Sequence, residues 1–361
     1  MTVHAPRGAQ PWRAHWPAGI PAEPTFERLG VGDLLLRAEA AHGDRCALEC
    51  RGLEMTYAEL TDRARRFASA LRRAGLAPGD TVALHLPNTC WHPIAFFGAM
   101  FAGCRVAHLS PLDPPRVLAH KLGDSEARLV VGTDLPPLIE ATTGLVAAGA
   151  VPRAVICRET EFAFPAEGCG AIPEDPAIQP SDAFLEGAEP LQDLAAAAPE
   201  DIALLQYTGG TTGLPKGAML SHGNLTAAVA IIGAWNDHRA DDPPPERPVG
   251  LCVLPLFHIF ALTGLLLRGV AQGAKLLIRL RFDPAEALND IERHGVTAFP
   301  GVPTMWIALI DQPGIETRDL STLSTCLSGG APLPVEVGRR FTRLTGLELG
   351  VGWGMTETSP V

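Results

Sequence analysis

Short apolar runs alternate with helix-forming segments along most of the chain. The strand-like run Thr81–Leu86 precedes an apolar helix expected at Trp91–Ala102, and a second strand-like run, Arg105–Ser110, follows that helix. Strands that alternate with helices favour a parallel sheet with helices packed on both faces. The pattern therefore predicts the α/β class.

Two stretches without periodicity divide the chain. Residues 1–24 are rich in proline and predict an extended arm, whereas Glu159–Pro199 is rich in proline, glycine, alanine and acidic residues and predicts a long surface connection between two sheet systems. We therefore expect an N-terminal arm at 1–24, a first α/β subdomain with its linker at 25–199, and a second α/β subdomain at 200–361.

Local patterns predict the positions of individual elements. Thr56 and Glu59 have the spacing of a capping box, so a helix should begin directly after Thr56. Further helices are expected at Phe26–Ala41, Ser221–Trp235 and Ile259–Ala271, and the last strand at Leu347–Trp353.

The charge balance limits the partners of the chain. Lys and Arg number 29 against 40 Asp and Glu, which gives a net charge of −11 at pH 7. An acidic protein lacks the basic surface that nucleic acids require, so no nucleic-acid partner is expected. A chain of this charge that binds a polyphosphate must confine its positive potential to one local site.

Cysteine usage and hydropathy indicate the compartment. The eight cysteines form no Cys-x-x-Cys pair, which favours buried free thiols in a reducing cytoplasm. The N-terminus lacks the apolar core of a signal peptide, and the most apolar run, Leu251–Leu267, is short and interrupted by Pro255, His258 and Gly264. We predict a cytoplasmic protein without a transmembrane segment, and leave peripheral membrane contact and the oligomeric state open.

The stretch Tyr207–Gly217 has the composition of a phosphate-binding loop. Its glycines let the backbone turn tightly and expose N–H groups, its threonines add hydroxyl donors, and its lysine adds a positive charge. The candidate phosphate ligands are Thr208, Gly209, Gly210, Thr211, Thr212, Gly213 and Lys216.

Two other interpretations of this stretch are weaker. A plain surface turn does not need three threonines and a Pro-Lys-Gly sequence. A P-loop requires Gly-Lys-Ser/Thr at the start of a helix, but Pro215 precedes Lys216 and Gly217 follows it.

Three further motifs follow predicted strands. His258 comes after Val249–Leu254, Ser328–Pro332 comes at the end of Leu323–Ser328, and Gly352–Glu357 ends the last strand. Taken singly, each has an ordinary structural explanation: a capping histidine, a strand-to-helix turn and a helix N-cap. Taken together, they are expected at the carboxyl ends of parallel strands, where open α/β sheets bind ligands.

These motifs resemble those of the adenylate-forming enzymes, a family that includes acyl-CoA synthetases, luciferases and peptide-synthetase adenylation domains. Tyr207–Gly217 is similar to the family's phosphate-binding motif, and His258–Thr263 is similar to bacterial long-chain fatty acyl-CoA synthetases. The resemblance covers Pro24–Val361. It implies two stacked, mostly parallel sheets covered by helices.

The resemblance also implies roles for individual residues. Thr208 and Lys216 would act on the phosphates of ATP with the rest of the loop, Thr208 and Glu357 would hold Mg²⁺, and His258 would position the acid. The adenine site would comprise Gly330, Ala331, Pro332, Gly352, Trp353, Gly354, Met355 and Thr356. Trp353 stands where the family usually has tyrosine, so it can stack on adenine but lacks the phenol hydroxyl.

The implied activity is activation of a carboxylic acid, a medium- to long-chain fatty acid, as an acyl-adenylate, followed by thioester formation with coenzyme A. A carboxylate is a poor acyl donor because its leaving group would be oxide, and adenylation replaces oxide with AMP. Magnesium and the loop would stabilise the charge on the phosphates. Ser221–Trp235 and Val302–Trp306 are expected to line the acyl tunnel.

Two alternatives stay open: the acceptor is a carrier-protein thiol, or the chain is a nucleotide- or acyl-binding remnant without turnover. In the family, the barrel strands, a ribose-binding aspartate and a mobile lid with an assisting lysine follow the motif that Glu357 ends, whereas this sequence stops at Val361. The resemblance thus implies an incomplete N-terminal domain that lacks the lid and most of the barrel and does not complete the ligation alone.

Overall fold

The computed structural model describes Trp16, Ile20 and residues 26–208, 213–236 and 245–360 of the chain. The predicted arm at 1–24 therefore lies almost wholly outside the described residues, as do Gly209, Gly210, Thr211 and Thr212 of the glycine-rich loop.

The described residues form fourteen strands. They are β1 (Cys46–Cys50), β2 (Leu53–Thr56), β3 (Thr81–Leu84), β4 (Arg105–His108), β5 (Ala127–Thr133), β6 (Ala154–Cys157), β7 (Ile178–Pro180), β8 (Ile202–Thr208), β9 (Lys216–Ser221), β10 (Val249–Cys252), β11 (Lys275–Ile278), β12 (Ala298–Gly301), β13 (Thr325–Ser328) and β14 (Gly350–Val351).

The same residues form twelve α-helices. They are α1 (Val31–His42), α2 (Tyr57–Arg73), α3 (Trp91–Ala102), α4 (Pro115–Asp124), α5 (Leu138–Ala147), α6 (Ser181–Leu185), α7 (His222–Asn236), α8 (Ile259–Ala261), α9 (Arg268–Ala271), α10 (Pro284–His294), α11 (Pro303–Ile310) and α12 (Val335–Thr345). A π-helical segment, Leu262–Leu267, joins α8 to α9.

The strands form two seven-stranded sheets. Sheet 1 has the order β7-β6-β5-β3-β4-β8-β9, and sheet 2 has the order β14-β13-β12-β10-β11-β1-β2. All neighbours pair in parallel except β8 with β9 and β1 with β2, which pair antiparallel. The predicted class of two mostly parallel sheets covered by helices is confirmed.

A layer of helices lies between the sheets. Every residue of α3 is buried, and α3 contacts β3 and β4 of sheet 1 on one side and α2 on the other. Helix α2 in turn contacts β1 and β2 of sheet 2. An apolar helix that is buried all round needs protein on every side, which explains why the facing sides of the two sheets share one core.

The sheets do not divide where the sequence pattern divides. Strands β8 and β9 follow the linker but join sheet 1, whereas β1 and β2 come early in the chain but join sheet 2. The boundary predicted at residues 199 and 200 therefore does not coincide with the division between sheets. As folding units, the two subdomains stay a prediction.

Several local predictions match the structure closely. The Thr56 hydroxyl accepts a hydrogen bond from the Glu59 N–H at 3.2 Å, and the Thr56 N–H donates to the Glu59 carboxylate at 2.7 Å, so the capping box begins α2 as expected. The helix predicted at Phe26–Ala41 begins later, at Val31, and the last strand is reduced to Gly350–Val351. Among the described residues, no helix combines the length and the apolarity that crossing a membrane requires.

Glu159 is a buried carboxyl at the start of the linker. It is fully buried, and one of its carboxyl oxygens accepts a hydrogen bond from the Thr133 hydroxyl at 2.8 Å. Burial raises the pKa of Glu159 to about 8, because water no longer solvates the charged form. The folded protein therefore holds this carboxyl in its neutral form at neutral pH.

We expect Glu159→Gln to raise the free energy of unfolding at neutral pH. With the folded pKa raised above the usual 4.5, the stability that protonation gives is complete below pH 4.5 and is lost as the pH rises toward 8. The glutamine amide is neutral at every pH and keeps an oxygen for Thr133. Chemical denaturation should show a gain of about 1–3 kcal/mol near pH 7 and little change near pH 4.

The control for this substitution is Glu140→Gln, which changes an exposed carboxyl on α5. It should leave the stability nearly unchanged at both pH values. A gain for Glu159→Gln that does not depend on pH would contradict the assignment.

Candidate active site

The glycine-rich loop joins two strands of a hairpin. In the antiparallel pair β8–β9, Tyr207 lies opposite Gly217 and Thr208 lies opposite Lys216. Thr208 and Lys216 are therefore brought together at the base of the loop, as the sequence predicts. Lys216 and Gly213 are exposed, so the described part of the loop faces solvent.

Helix α4 holds both ends of this loop. The Tyr207 hydroxyl lies 2.8 Å from the Asp124 carboxylate, and burial together with that carboxylate raises the pKa of Tyr207, so the hydroxyl stays protonated and donates. On the other strand, the His120 imidazole Nε2 donates to the Pro215 carbonyl at 3.0 Å. Sequence patterns do not indicate these anchors, because the bonded residues lie 83 and 95 positions apart along the chain.

Three of the predicted motifs meet at one edge of sheet 2. Strands β10, β12, β13 and β14 are parallel neighbours, so their carboxyl ends lie side by side. His258 follows β10, the Gly330 turn follows β13, and Trp353 follows β14. This arrangement agrees with the expected crevice at the carboxyl ends of the strands.

The turn after β13 lies directly against the His258 motif. A Cβ atom on Gly329 would lie 2.9 Å from the Phe260 ring, so only glycine allows this close approach. Gly330 has a φ of +78°, in the left-handed region that favours glycine. Ala331 and Pro332 follow in exposed positions, which leaves the face of the turn open to a ligand.

The segment after β14 reaches across to sheet 1. The Trp353 side chain is 76% exposed and offers a free ring face. Gly352 and Thr356 are half-buried, whereas Gly354 and Met355 are exposed. The turn Thr356–Thr358 lies against β8 and β9, which places Glu357 beside the hairpin that carries Thr208 and Lys216.

The oxygen ligands near the hairpin suit magnesium only if a bound substrate supplies further ligands. Glu357 is exposed and Thr208 is half-buried, so both oxygens are accessible to an ion. Within the described ranges, no three His, Cys, Asp or Glu side chains are grouped to hold a metal. One carboxylate and one hydroxyl suit Mg²⁺ that is held mainly by nucleotide phosphates and water.

His258 caps the helix that follows it. Its Nδ1 accepts a hydrogen bond from the Phe260 N–H at 3.3 Å, so the neutral imidazole carries its proton on Nε2. Burial lowers the pKa of His258, because surrounding protein removes water even though the crevice leaves part of the ring accessible. At neutral pH the side chain is therefore a neutral donor at Nε2.

Two buried side chains join the sheets beside this motif. Gln206 on β8 donates from Nε2 to the Phe257 carbonyl at 2.9 Å. The Asn88 carbonyl oxygen accepts from the Leu256 N–H at 2.8 Å, and the Asn88 amide donates to the Leu254 carbonyl at 2.8 Å. The turn before His258 is thus tied to sheet 1 at two points that the sequence patterns did not single out.

A cavity of about 130 Å³ lies between sheet 2 and the helix that begins at Ile259. Its wall includes Ile232, Asn236, Phe260, Gly264, Leu265, Arg268, Gln272, Leu276, Thr297, Pro300, Thr325 and Leu327. Only one of the two segments expected to line a tunnel contributes to this wall: α7 supplies Ile232 and Asn236. Trp306 is instead fully buried in the core, with its ring 4.7 Å from that of Phe299.

Comparison with known proteins decides the family. Residues 35–361 match the profile of the AMP-binding enzymes. The chain belongs to this family. As an AMP-binding family member it shares its fold with ATP-bound MatB from Rhodopseudomonas palustris, at a TM-score of 0.74 and 25% identity over 92% of this chain and 61% of that one.

Two curated relatives match more than nine tenths of the chain. The chain is 32% identical over 367 residues to a long-chain-fatty-acid–CoA ligase of Bacillus subtilis, covering 98% of this chain and 64% of the relative. It is 35% identical over 336 residues to a feruloyl-CoA synthase of an Amycolatopsis species, covering 92% of this chain and 60% of the relative. The chain therefore spans less than two thirds of the length of either relative.

We expect Lys216→Ala to weaken MgATP binding without unfolding the protein. Lys216 is exposed at the base of the loop, so we expect its charge to contribute to ligand binding rather than to the stability of the fold. A charge-assisted contact is worth roughly 1.5–3 kcal/mol, which corresponds to a loss of about 10- to 150-fold in affinity. Isothermal titration calorimetry measures the loss, and thermal unfolding checks the fold.

Lys275→Ala is the matched control, because Lys275 lies on β11 of sheet 2 and pairs with Glu54. The affinity of the Lys275→Ala variant for MgATP should equal that of the wild type. Equal affinity for the Lys216 variant as well would remove Lys216 from the site.

Proposed function

We propose that the protein activates a medium- to long-chain fatty acid with ATP and transfers the acyl group to coenzyme A. The observation that carries this proposal is the cavity beside the His258 motif. Phe260, Leu265 and Leu276 in its wall are apolar, and Phe260 lies only two residues beyond His258. An acid whose carboxylate lies at His258 would thus have apolar space for its chain.

His258 would orient the acid carboxylate. Its neutral imidazole presents an Nε2 proton, which is suited to donate to one carboxylate oxygen while the other attacks the α-phosphorus of ATP. Pyrophosphate then leaves, and the acyl group remains attached to AMP through a mixed anhydride. In the second step a thiolate sulfur attacks the acyl carbon, the C–O bond breaks, and AMP leaves with the electron pair.

The hairpin would hold the phosphates. Thr208 and Lys216 offer a hydroxyl and an ammonium at the base of the loop, and both suit the oxygens of a triphosphate. Mg²⁺, held by Glu357 and Thr208 together with the phosphates, would supply further charge neutralisation. Trp353 and the backbone of Gly330–Pro332 would bracket the adenine ring.

An aromatic acid is the second candidate substrate, because the feruloyl-CoA synthase is 35% identical to this chain. A short aliphatic chain and a phenyl ring differ in how they use the cavity. Aliphatic acids gain about 0.8 kcal/mol for each methylene that enters an apolar space, whereas a rigid ring either fits or does not. The dependence of activity on acyl chain length therefore distinguishes a fatty acid from an aromatic acid as the substrate.

We expect the rate of ATP–pyrophosphate exchange to rise with acyl length. The specificity constant should increase by about fourfold for each added methylene until the cavity is full. The measurement uses saturated acids from acetate to hexadecanoate, with benzoate and ferulate alongside, on the longest form of the protein that its gene encodes. A preference for acetate, benzoate or ferulate over dodecanoate would overturn the fatty-acid assignment.

We expect Gly264→Leu to shorten the acids that the protein accepts. A Cβ atom on Gly264 would lie 3.7 Å from its nearest neighbour, the Phe260 ring, so a side chain there fits and extends into the cavity. Gly250 and Gly269 lack this room, because a Cβ atom on either would lie within 2.9 Å of Leu276. The ratio of exchange rates with dodecanoate and butanoate should fall by about tenfold or more.

Gly144→Leu is the matched control, since Gly144 is also helical and a Cβ atom there would have no neighbour within 4 Å. It should leave the ratio unchanged. If the Gly264 and Gly144 variants behave alike, the cavity is not the acyl site.

A further inference from the structure

His108 is a buried polar residue that the proposed chemistry does not use. It ends β4, is 2% exposed, and lies beside β8 of sheet 1. On the side of α3 its ring lies 5.1 Å from that of His92 and 6.0 Å from that of Phe96, both measured between centroids. A polar ring in this position must find a partner or leave its nitrogens unsatisfied.

The partner of His108 is Gln206. The His108 Nδ1 lies 3.0 Å from the Gln206 Oε1, and the Gln206 Nε2 donates to the Phe257 carbonyl at 2.9 Å. Rotating the Gln206 amide by 180° would place its oxygen next to the Phe257 carbonyl oxygen, and two acceptors repel each other. The Phe257 carbonyl therefore determines the orientation of the Gln206 amide. The Gln206 oxygen is then an acceptor, and His108 must carry its proton on Nδ1.

Two further observations agree with this protonation state. Burial lowers the pKa of His108 to about 4, so the ring is neutral and has a single proton to place. Among the described residues, the His108 Nε2 has no hydrogen-bond partner, as expected for the unprotonated nitrogen of that tautomer. Lys121 and His258 are close enough to disfavour a positive charge on His108, and neither forms a hydrogen bond with it.

We propose that His108 is a positioning residue that sets, through Gln206, the distance between the acid site at His258 and the hairpin base at Thr208 and Lys216. The relay runs from His108 to Gln206 and then to the carbonyl of Phe257, the residue before His258. Gln206 also lies two residues before Thr208 on β8, so one amide joins the turn of sheet 2 to the hairpin of sheet 1. This inference rests on the proposed function, which needs the carboxylate and the α-phosphorus at bonding distance.

The relay predicts which substitutions at position 108 are tolerated. Asparagine places its amide nitrogen close to the position of the imidazole Nδ1 and can donate to Gln206. Glutamine places its amide near the position of Nε2 and cannot make the same bond without moving. Alanine removes the donor altogether, so the order of activity should be wild type, His108→Asn, then His108→Gln and His108→Ala.

The first experiment measures ATP–pyrophosphate exchange with dodecanoate on the longest form that the gene encodes. We expect His108→Ala and His108→Gln to lower kcat by about tenfold or more, because a misplaced reacting group slows the chemical step. The affinity for MgATP, measured by calorimetry, should change less than about twofold. His108→Asn should recover most of the lost kcat.

His85→Ala is the control for loss of a buried histidine. His85 is fully buried and directly follows β3, the strand that pairs with β4. Its Nδ1 lies 2.9 Å from the Thr142 hydroxyl on α5, so its partner differs from that of His108. It should lower the thermal stability as His108→Ala does while leaving kcat nearly unchanged. Equal kcat losses for His85→Ala and His108→Ala, or equal activities for the Asn and Gln variants at position 108, would show that His108 only fills space.

A second experiment tests the relay without any turnover. Long-range ¹H–¹⁵N spectra of histidine side chains report which imidazole nitrogen carries the proton. We expect His108 in the Nδ1–H form near pH 7, and we expect His108→Ala, but not His85→Ala, to shift the His258 resonances. An Nε2–H tautomer for His108 would overturn the relay. If His108 is in the Nδ1–H form but no acid supports ATP–pyrophosphate exchange, the result counts against the proposed function alone.

Discussion

The structure depends on the burial of α3 between two sheets that differ in their role at the site. Because every side of that helix is covered, the sheets cannot separate without exposing a large apolar surface. Sheet 2 contributes the edge where parallel strands end, and sheet 1 contributes the hairpin. Neither sheet alone holds both a candidate acid site and a candidate phosphate site, so the packing of one helix determines whether the site exists.

Sequence patterns predicted the parts of this site but not how they are joined. The class, the hairpin base at Thr208 and Lys216 and the order of motifs after strands follow from periodicity, glycine placement and the geometry of parallel sheets. The partition of strands between sheets did not follow, because β1 pairs with β11 through contacts between residues more than two hundred positions apart. Local periodicity carries no information about such pairings.

Polar residues inside strands were the other omission. Gln206 lies in a run that otherwise looks like an ordinary apolar strand, and His108 ends another such run. A single polar residue on a buried strand is compatible with a bend, a mispredicted face or a hydrogen-bonded pair, and only the fold distinguishes these. The site roles of His258, Thr208, Lys216, Glu357 and the predicted adenine-binding residues all stay predictions, although their positions agree with those roles.

Buried neutral groups give the protein opposing responses to pH. Burial lowers the pKa of His85 and His108 to about 4, so their contribution is lost as the pH falls from 6.5 toward that value. The raised pKa of Glu159 acts in the other direction, because its contribution is lost as the pH rises from 4.5 to about 8. Ionisation of these buried groups therefore lowers the stability of the folded state both when the pH falls and when it rises.

The π-helical segment Leu262–Leu267 has an evolutionary consequence. A π turn accommodates one residue more than an α turn between the same flanking segments, so the loss of one codon there would restore regular α-helix without moving α8 or α9. The side chains that remain in the segment would rotate by about 100° around the helix axis. A different set of side chains would then face the cavity, while both sheets stayed as they are.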